Sequence, residues 1–140
     1  MKVYEHQQPT HYSAWTPPEG ACAVAAGNWW DAIRVDEALG ITIVRYLRLL
    51  SPSRLGPVIA DHDMTIPSIY FLTLPGTAAH WTAPHSRALG HNCYIVVPSL
   101  GRITPPGPHW LVSPQHSDGH TDPESLRRIL DLGLADPTVG

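Results

Sequence analysis

Between Gly56 and Pro98 the chain alternates short apolar runs with proline and glycine, and this punctuation limits what it can fold into. Val58-Ile59-Ala60, Ile69-Tyr70-Phe71-Leu72-Thr73-Leu74 and Tyr94-Ile95-Val96-Val97 are rich in β-branched and aromatic residues. Gly56-Pro57, Pro67, Pro75-Gly76, Gly90 and Pro98 bound them. A long helix does not survive such interruptions, because proline lacks the ladder donor and clashes with the preceding turn. Short buried strands do. Asp61, His62, Asp63, His80, His85 and His91 fall at the ends of these runs, so a sheet built from them carries polar groups at its strand ends.

The flanking sequence extends the pattern. Ala21 to Ala26 reads as a short strand ending at Gly27-Asn28, and Trp29 to Val35 as a second, with Trp30, Ala32 and Arg34 on one face. On that alternation Trp29 and Trp30 point to opposite faces, so one of them faces a second layer, a ligand or a partner, and the N-terminal arm is the expected cover. Asp36 opens a helix whose apolar stripe is Leu39, Ile43, Tyr46, Leu47 and Leu50; Gly40 weakens its first turn, so the regular part is expected after it. Ser51-Pro52 stops it. Thr77 to Trp81 reads as one helical turn. Tyr94 to Val97, apolar throughout, is expected as a central strand, with His109 to Val112 returning antiparallel beside it after a rigid proline loop. Asp122-Pro123 starts a last helix with Leu126, Ile129, Leu130 and Leu134 on its apolar side. The order β-β-α-β-β-β-β-α implies an α+β fold: a twisted mixed or mostly antiparallel sheet with about two helices packed mainly on one face. Residues 1–20 form an arm, 21–135 a single domain and 136–140 a frayed tail.

Composition narrows the function classes. Hydrophobic residues make up 43% of the 140, enough for one core, while charged residues make up only 15%. An average soluble domain carries about 25%, so a face covered by a partner, or a homo-oligomer, is expected. Lys2 is the only lysine, the arginines are scattered and the net charge is −3. Non-specific nucleic-acid binding needs clustered cations, which argues against it here. No apolar run reaches the length of a membrane span, and the N-terminus lacks a signal-peptide core, so a cytoplasmic protein without membrane contact is expected. Cys22 and Cys93, both in strand-like runs, are expected as buried thiols.

Several motifs carry a family resemblance. Gly90-His91-Asn92-Cys93-Tyr94-Ile95-Val96-Val97-Pro98-Ser99, then a Gly/Pro loop and His109-Trp110-Leu111, form one block. Trp30-Asp31, Leu39-Gly40, Gly56-Pro57-Val58, Phe71-Leu72, Pro75-Gly76-Thr77-Ala78, Leu89-Gly90 and Thr121-Asp122-Pro123 add to it. From Trp30 to Leu130 the chain resembles small actinobacterial proteins related to the N-terminal domain of bifunctional DNA primase-polymerases, here called PrimPol-like. In that family two carboxylates in Asp-x-Asp, a Ser-Gly-x-His strand and a third acid hold two metals for nucleotidyl transfer. Asp61-His62-Asp63 matches the first motif as a string; Pro67-Ser68-Ile69-Tyr70-Phe71 stands in place of the second, and no further acid follows until Asp118. The resemblance thus implies a reduced scaffold, a non-polymerising accessory or binding protein for a nucleotide, a small molecule or a protein partner. Two alternatives stay open: a small enzyme of specialised metabolism with an aromatic-lined pocket and His/Asp acid-base chemistry, and a metal-dependent nucleotidyl-transfer or hydrolytic enzyme.

The candidate residues follow from these readings. Asp61 and Asp63 offer oxygen donors to a divalent cation such as Mg²⁺ or Mn²⁺, or form a polar β-turn. His80, His85 and His91 are candidate acid-base groups or zinc ligands, although their spacings of five and six residues match no zinc signature. Trp29, Trp30, Trp81 and Trp110, with Arg87 near them, are candidate walls of a pocket for a planar ligand; as core filler they need none.

Overall fold

The structure, a computed structural model, describes residues 15–117 and 119–133. Its strands are β1 (Cys22–Ala25), β2 (Asp31–Asp36), β3 (Val58–Asp61), β4 (Ser68–Thr73), β5 (Arg87–Leu89), β6 (Tyr94–Val97) and β7 (His109–Val112). Helix α1 (Glu37–Leu50) follows β2, and α2 (Pro123–Leu132) ends the described chain. Five strands form an antiparallel sheet in the order β5-β2-β4-β3-β7, while β1 and β6 pair as a separate two-stranded ribbon. The fold is α+β. No helix among the described residues is long and apolar enough to cross a membrane.

Side-chain alternation divides the core into two layers. Ile33, Val35, Val58, Ala60, Ile69 and Phe71 face the helices, where α1 contributes Ile43, Val44 and Leu47 and α2 contributes Leu126, Ile129 and Leu130. The intervening positions Ala32, Ile59, Tyr70, Leu72 and Trp110 face the other way and lie with Trp30, Ile95 and Val97 beneath the ribbon. Both faces of the central strands are therefore covered, which is why β3 and β4 read as continuous apolar runs.

Close approaches set the helices. A Cβ on Gly40 would lie 2.4 Å from Ile69 Cβ, so glycine lets α1 settle on β4. The helix runs unbroken from Glu37 through Gly40, not from a point after it, because that contact outweighs the local propensity. Asp122 caps α2 by accepting from the Ser125 amide, with Pro123 in the first turn and Gly133 (φ 66°) at the C-cap. The segment before α2 is tied across the sheet: Thr121 N donates to Leu72 O (2.8 Å) and Asp122 N to Arg54 O (2.9 Å). The Gly56 amide donates to Thr121 Oγ1 at 2.9 Å.

Four further expectations are corrected. β6 is peripheral, not central: Ile95 and Val97 point inward, but Tyr94 and Val96 are exposed on the outer face of the ribbon. β7 pairs with β3, not β6. The strand expected from Trp29 starts at Asp31, so the two tryptophans sit in the preceding turn and both join the ribbon-side layer. Cys22 is exposed and Cys93 half-buried, because β1 lies on the outside of the molecule and Cys93 precedes β6 in a turn. Trp15 of the arm packs edge-on against Trp30 and Trp110, with centroids 5.9 and 6.5 Å apart. The remaining arm residues 1–14, Asp118, Leu134 and the tail lie outside the described residues.

Candidate functional site

Strand register places the sequence candidates at different ends of the sheet. Asp36, Ser68 and Asp61 lie level with one another at one end, and Asp31 and Thr73 at the other. Five residues of strand separate these ends, about 17 Å. Asp63 follows Asp61 in the β3–β4 turn. His80 closes the short 3₁₀ turn Thr77–His80, which Asp31 holds: its Oδ2 accepts from Gly76 N (3.0 Å) and Ala78 N (2.8 Å). His91 lies just beyond β5, whose Leu89 is level with Ala32, and its ring covers Gly27. The carboxylates Asp61 and Asp63 and the imidazoles of His80 and His91 therefore do not form one catalytic group. His85 precedes β5 in an exposed turn at φ 58°. Among the described residues no three His, Cys, Asp or Glu side chains are grouped to hold a metal ion.

At the acidic end the polar groups hold the turn together. Asp63 Oδ2 accepts from Gly107 N at 2.7 Å, tying the β3–β4 turn to the proline loop. His62 Nδ1 lies 2.8 Å from Glu37 Oε2, and this hydrogen bond with the Glu37 charge raises the His62 pKa above its usual value. Alternation along β3 turns Asp61 toward the ribbon-side face.

That face carries the arrangement with the clearest chemistry. Arg87 of β5 pairs directly with Arg34 of β2, Arg34 with Tyr70 of β4, and Tyr70 with Ile59 of β3. Asp36, Ser68 and Asp61 form the next polar row toward the sheet end, on the same face. Directly opposed residues of an antiparallel pair share a face with Cβ atoms about 5 Å apart, and like charges there repel. Arg34 is half-buried and Arg87 exposed. Among the described residues neither guanidinium has an ion pair or a hydrogen bond to a side chain or carbonyl. The Tyr70 hydroxyl donates to Met64 Sδ at 3.0 Å; burial pushes its pKa up, and the nearby Arg34 charge opposes this without reversing it. The result is a polar shelf of two cations and a protonated phenol, bordered by the carboxylates Asp36 and Asp61, beside the apolar ribbon layer.

The tryptophans do not share one concavity. Trp30 and Trp110 are buried beneath the ribbon with Trp29 beside them, whereas Trp81 packs on the helix side of the sheet and donates Nε1 to Ser86 Oγ at 2.8 Å. Trp110 Nε1 donates to Ser99 O at 3.0 Å. A separate groove of about 440 Å³ runs beside β7, lined in part by Arg48, Ile103, Trp110, Leu111 and His116. Of the residues singled out from sequence, Arg87 belongs to the polar shelf and Asp61 borders it. Arg34 and Tyr70 were not singled out as site residues. A charged residue inside an otherwise apolar strand is the signal for Arg34, but its partner is set by β2–β5 pairing across more than fifty residues of chain. No protein-family model, curated protein or solved structure matches this chain.

Proposed function

We propose that this chain is a cytoplasmic binding module on a PrimPol-like scaffold, taking an anionic small molecule, a nucleotide or another phosphate-bearing compound, at the Arg34–Arg87 pair without polymerising it. The observation that carries this reading is a pair of arginines at directly opposed positions of β2 and β5, neither of which makes an ion pair among the described residues. Such a pair costs stability in the empty protein and is relieved by an oxyanion that accepts from both forks at once. Tyr70 supports the reading as a neutral hydroxyl at the same level of the sheet, able to donate to an anion by turning its hydrogen away from Met64 Sδ. Asp61 at the shelf's border discriminates among anions by repelling those whose charge extends toward it.

Titration of the ¹⁵N-labelled chain with ATP, with and without Mg²⁺, tests this reading. Shifts are expected at Arg34, Arg87 and Tyr70. Arg34→Ala and Arg87→Ala are each expected to weaken binding at least about tenfold, the scale of one charge-assisted hydrogen bond. The purified chain is expected to give no template-directed extension of a primer. Absence of any shift at the shelf with ATP, pyrophosphate or inorganic phosphate overturns the reading, as does an extension product.

A further inference from the structure

Strand edges are where a sheet protein meets other chains, and this molecule treats its edges unequally. The outer edge strand β5 carries Arg87. At the opposite edge, the β7 backbone is already engaged: Trp110 N donates to Arg102 O at 2.8 Å, and Leu111 O accepts from Arg48 Nη2 at 3.0 Å. The ribbon is different. From Gly20 to Trp30 and from Ala88 to Gly101 the chain contains no Asp, Glu, Lys or Arg. Strand β6, Tyr94-Ile95-Val96-Val97, has β1 on one side, and among the described residues its backbone makes no hydrogen bond on the other. Its outward side chains are apolar and uncovered, Tyr94 at 66% and Val96 at 44% exposure.

We propose that β6 pairs antiparallel with β6 of a second copy of this chain, joining two ribbons into one four-stranded sheet about a two-fold axis. Among strand partners, a second copy is self-matched. The absence of charge means that two copies of a chain of net charge −3 approach through their least repulsive surface. β6 is preferred over β1, whose Cys-Ala-Val-Ala side chains offer little cross-strand contact. Inner faces must stay on one side of the joined sheet. The axis therefore passes through a residue, and centring on Ile95 sets Tyr94 beside the partner's Val96 on the outer face. A four-residue edge spans about 13 Å, so the dimer is expected to be a weak one, below about 1,200 Å² of buried surface.

Sedimentation equilibrium of the full chain in reducing buffer, over about 1–300 µM, reads this directly, the range being that of small transient interfaces. The unmodified chain is expected to pass from monomer to dimer and stop there. Val96→Lys, which changes an outward side chain and leaves the core intact, is expected to weaken dimerisation at least tenfold with unchanged circular dichroism. Ile103→Lys, at an exposed apolar residue outside the ribbon, is expected to leave it as it was. Amide exchange of Tyr94 and Val96, whose N–H groups alternate toward the free edge, is expected to slow with concentration. A chain that stays monomeric across the range overturns the proposal. So does a dimer that Val96→Lys does not weaken, or one that Ile103→Lys weakens equally. Association that continues past the dimer also overturns it, since that is head-to-tail pairing of β1 with β6.

Discussion

Single residues at close approaches hold much of this fold, and two glycines rank by what they touch. At Gly40, alanine gains helix propensity of about 1 kcal/mol, but its Cβ would lie 2.4 Å from Ile69 Cβ on β4. Overpacking of this kind costs about 1–3 kcal/mol, so Gly40→Ala is expected to destabilise on balance. At Gly56 the obstruction is backbone: the new Cβ would meet His120 C at 2.3 Å and Thr121 N at 2.4 Å. It cannot be relieved without breaking the Gly56–Thr121 hydrogen bond. Urea titration should therefore give a larger loss for Gly56→Ala than for Gly40→Ala, about 3 kcal/mol or more. Asp31 makes a different case. The residue is 2% exposed and its carboxylate serves two backbone amides, so Asp31→Ala strands both, at about 1–3 kcal/mol each, whereas Asp31→Asn keeps one oxygen as acceptor. Asparagine is expected to recover at least half of the loss, and exchange of the Gly76 and Ala78 amides should report it. None of the three contacts is visible in sequence, because each joins segments far apart in the chain.

At the level of elements, local chemistry was legible and pairing was not. Both helices are anticipated from their stripes, and α2 from Asp122-Pro123. That cap makes a second prediction. Asp122 Oδ2 accepts from Ser125 N, Ser125 Oγ and Arg54 Nη1. Asp122→Ala is expected to cost about 1–2 kcal/mol, the range for a lost N-cap, and Asp122→Asn or Asp122→Ser less, by thermal denaturation. The strands show where local reading stops. Tyr94 to Val97 reads as central because all its residues are apolar, yet four residues without alternation cannot reveal that one face is bare. His109 to Val112 reads as the partner of its neighbour in sequence, but a bulge at Leu111, whose carbonyl Arg48 satisfies, fits β7 to β3 instead. The polar shelf follows the same logic. Arg87 is a candidate from sequence and Arg34 is not, and the two become a pair only once β2 and β5 are in register.

For the molecule as a whole, pH dependence gathers contributions of opposite sign. His120 lies in the segment before α2 and reaches across to the β1–β2 turn, its Nε2 donating to Trp29 O at 2.8 Å. Burial pushes its pKa below 6.5, and the Trp29 carbonyl only partly offsets this. The folded state thus favours neutral His120 more than the unfolded chain does. Its contribution is complete above pH 6.5 and is lost as pH falls through the lowered folded value. His62 acts in reverse: its pKa is raised by Glu37, so its contribution is present below pH 6.5 and lost as pH rises through the folded value. His62 sits at the surface, where solvent screens the pair, while His120 links two segments of the fold, so the His120 slope should dominate. Melting temperature is therefore expected to fall as pH is lowered from 6.5 toward 5. His120→Gln keeps a donor for the Trp29 carbonyl without a titrating ring and should flatten that slope, even if it lowers stability at pH 7.5. Glu37→Gln removes the opposing contribution and should steepen it. A profile unchanged by His120→Gln would mean that acid lability resides elsewhere, with Asp122 the next group to examine. Burial there opposes ionisation, but the Ser125 hydrogen bonds and Arg54 outweigh it and hold the carboxyl below the usual range. Its stabilising contribution is complete above about pH 4, the ordinary carboxylate value, and is lost only as pH falls through the lower folded value, so the two acid transitions separate on one titration.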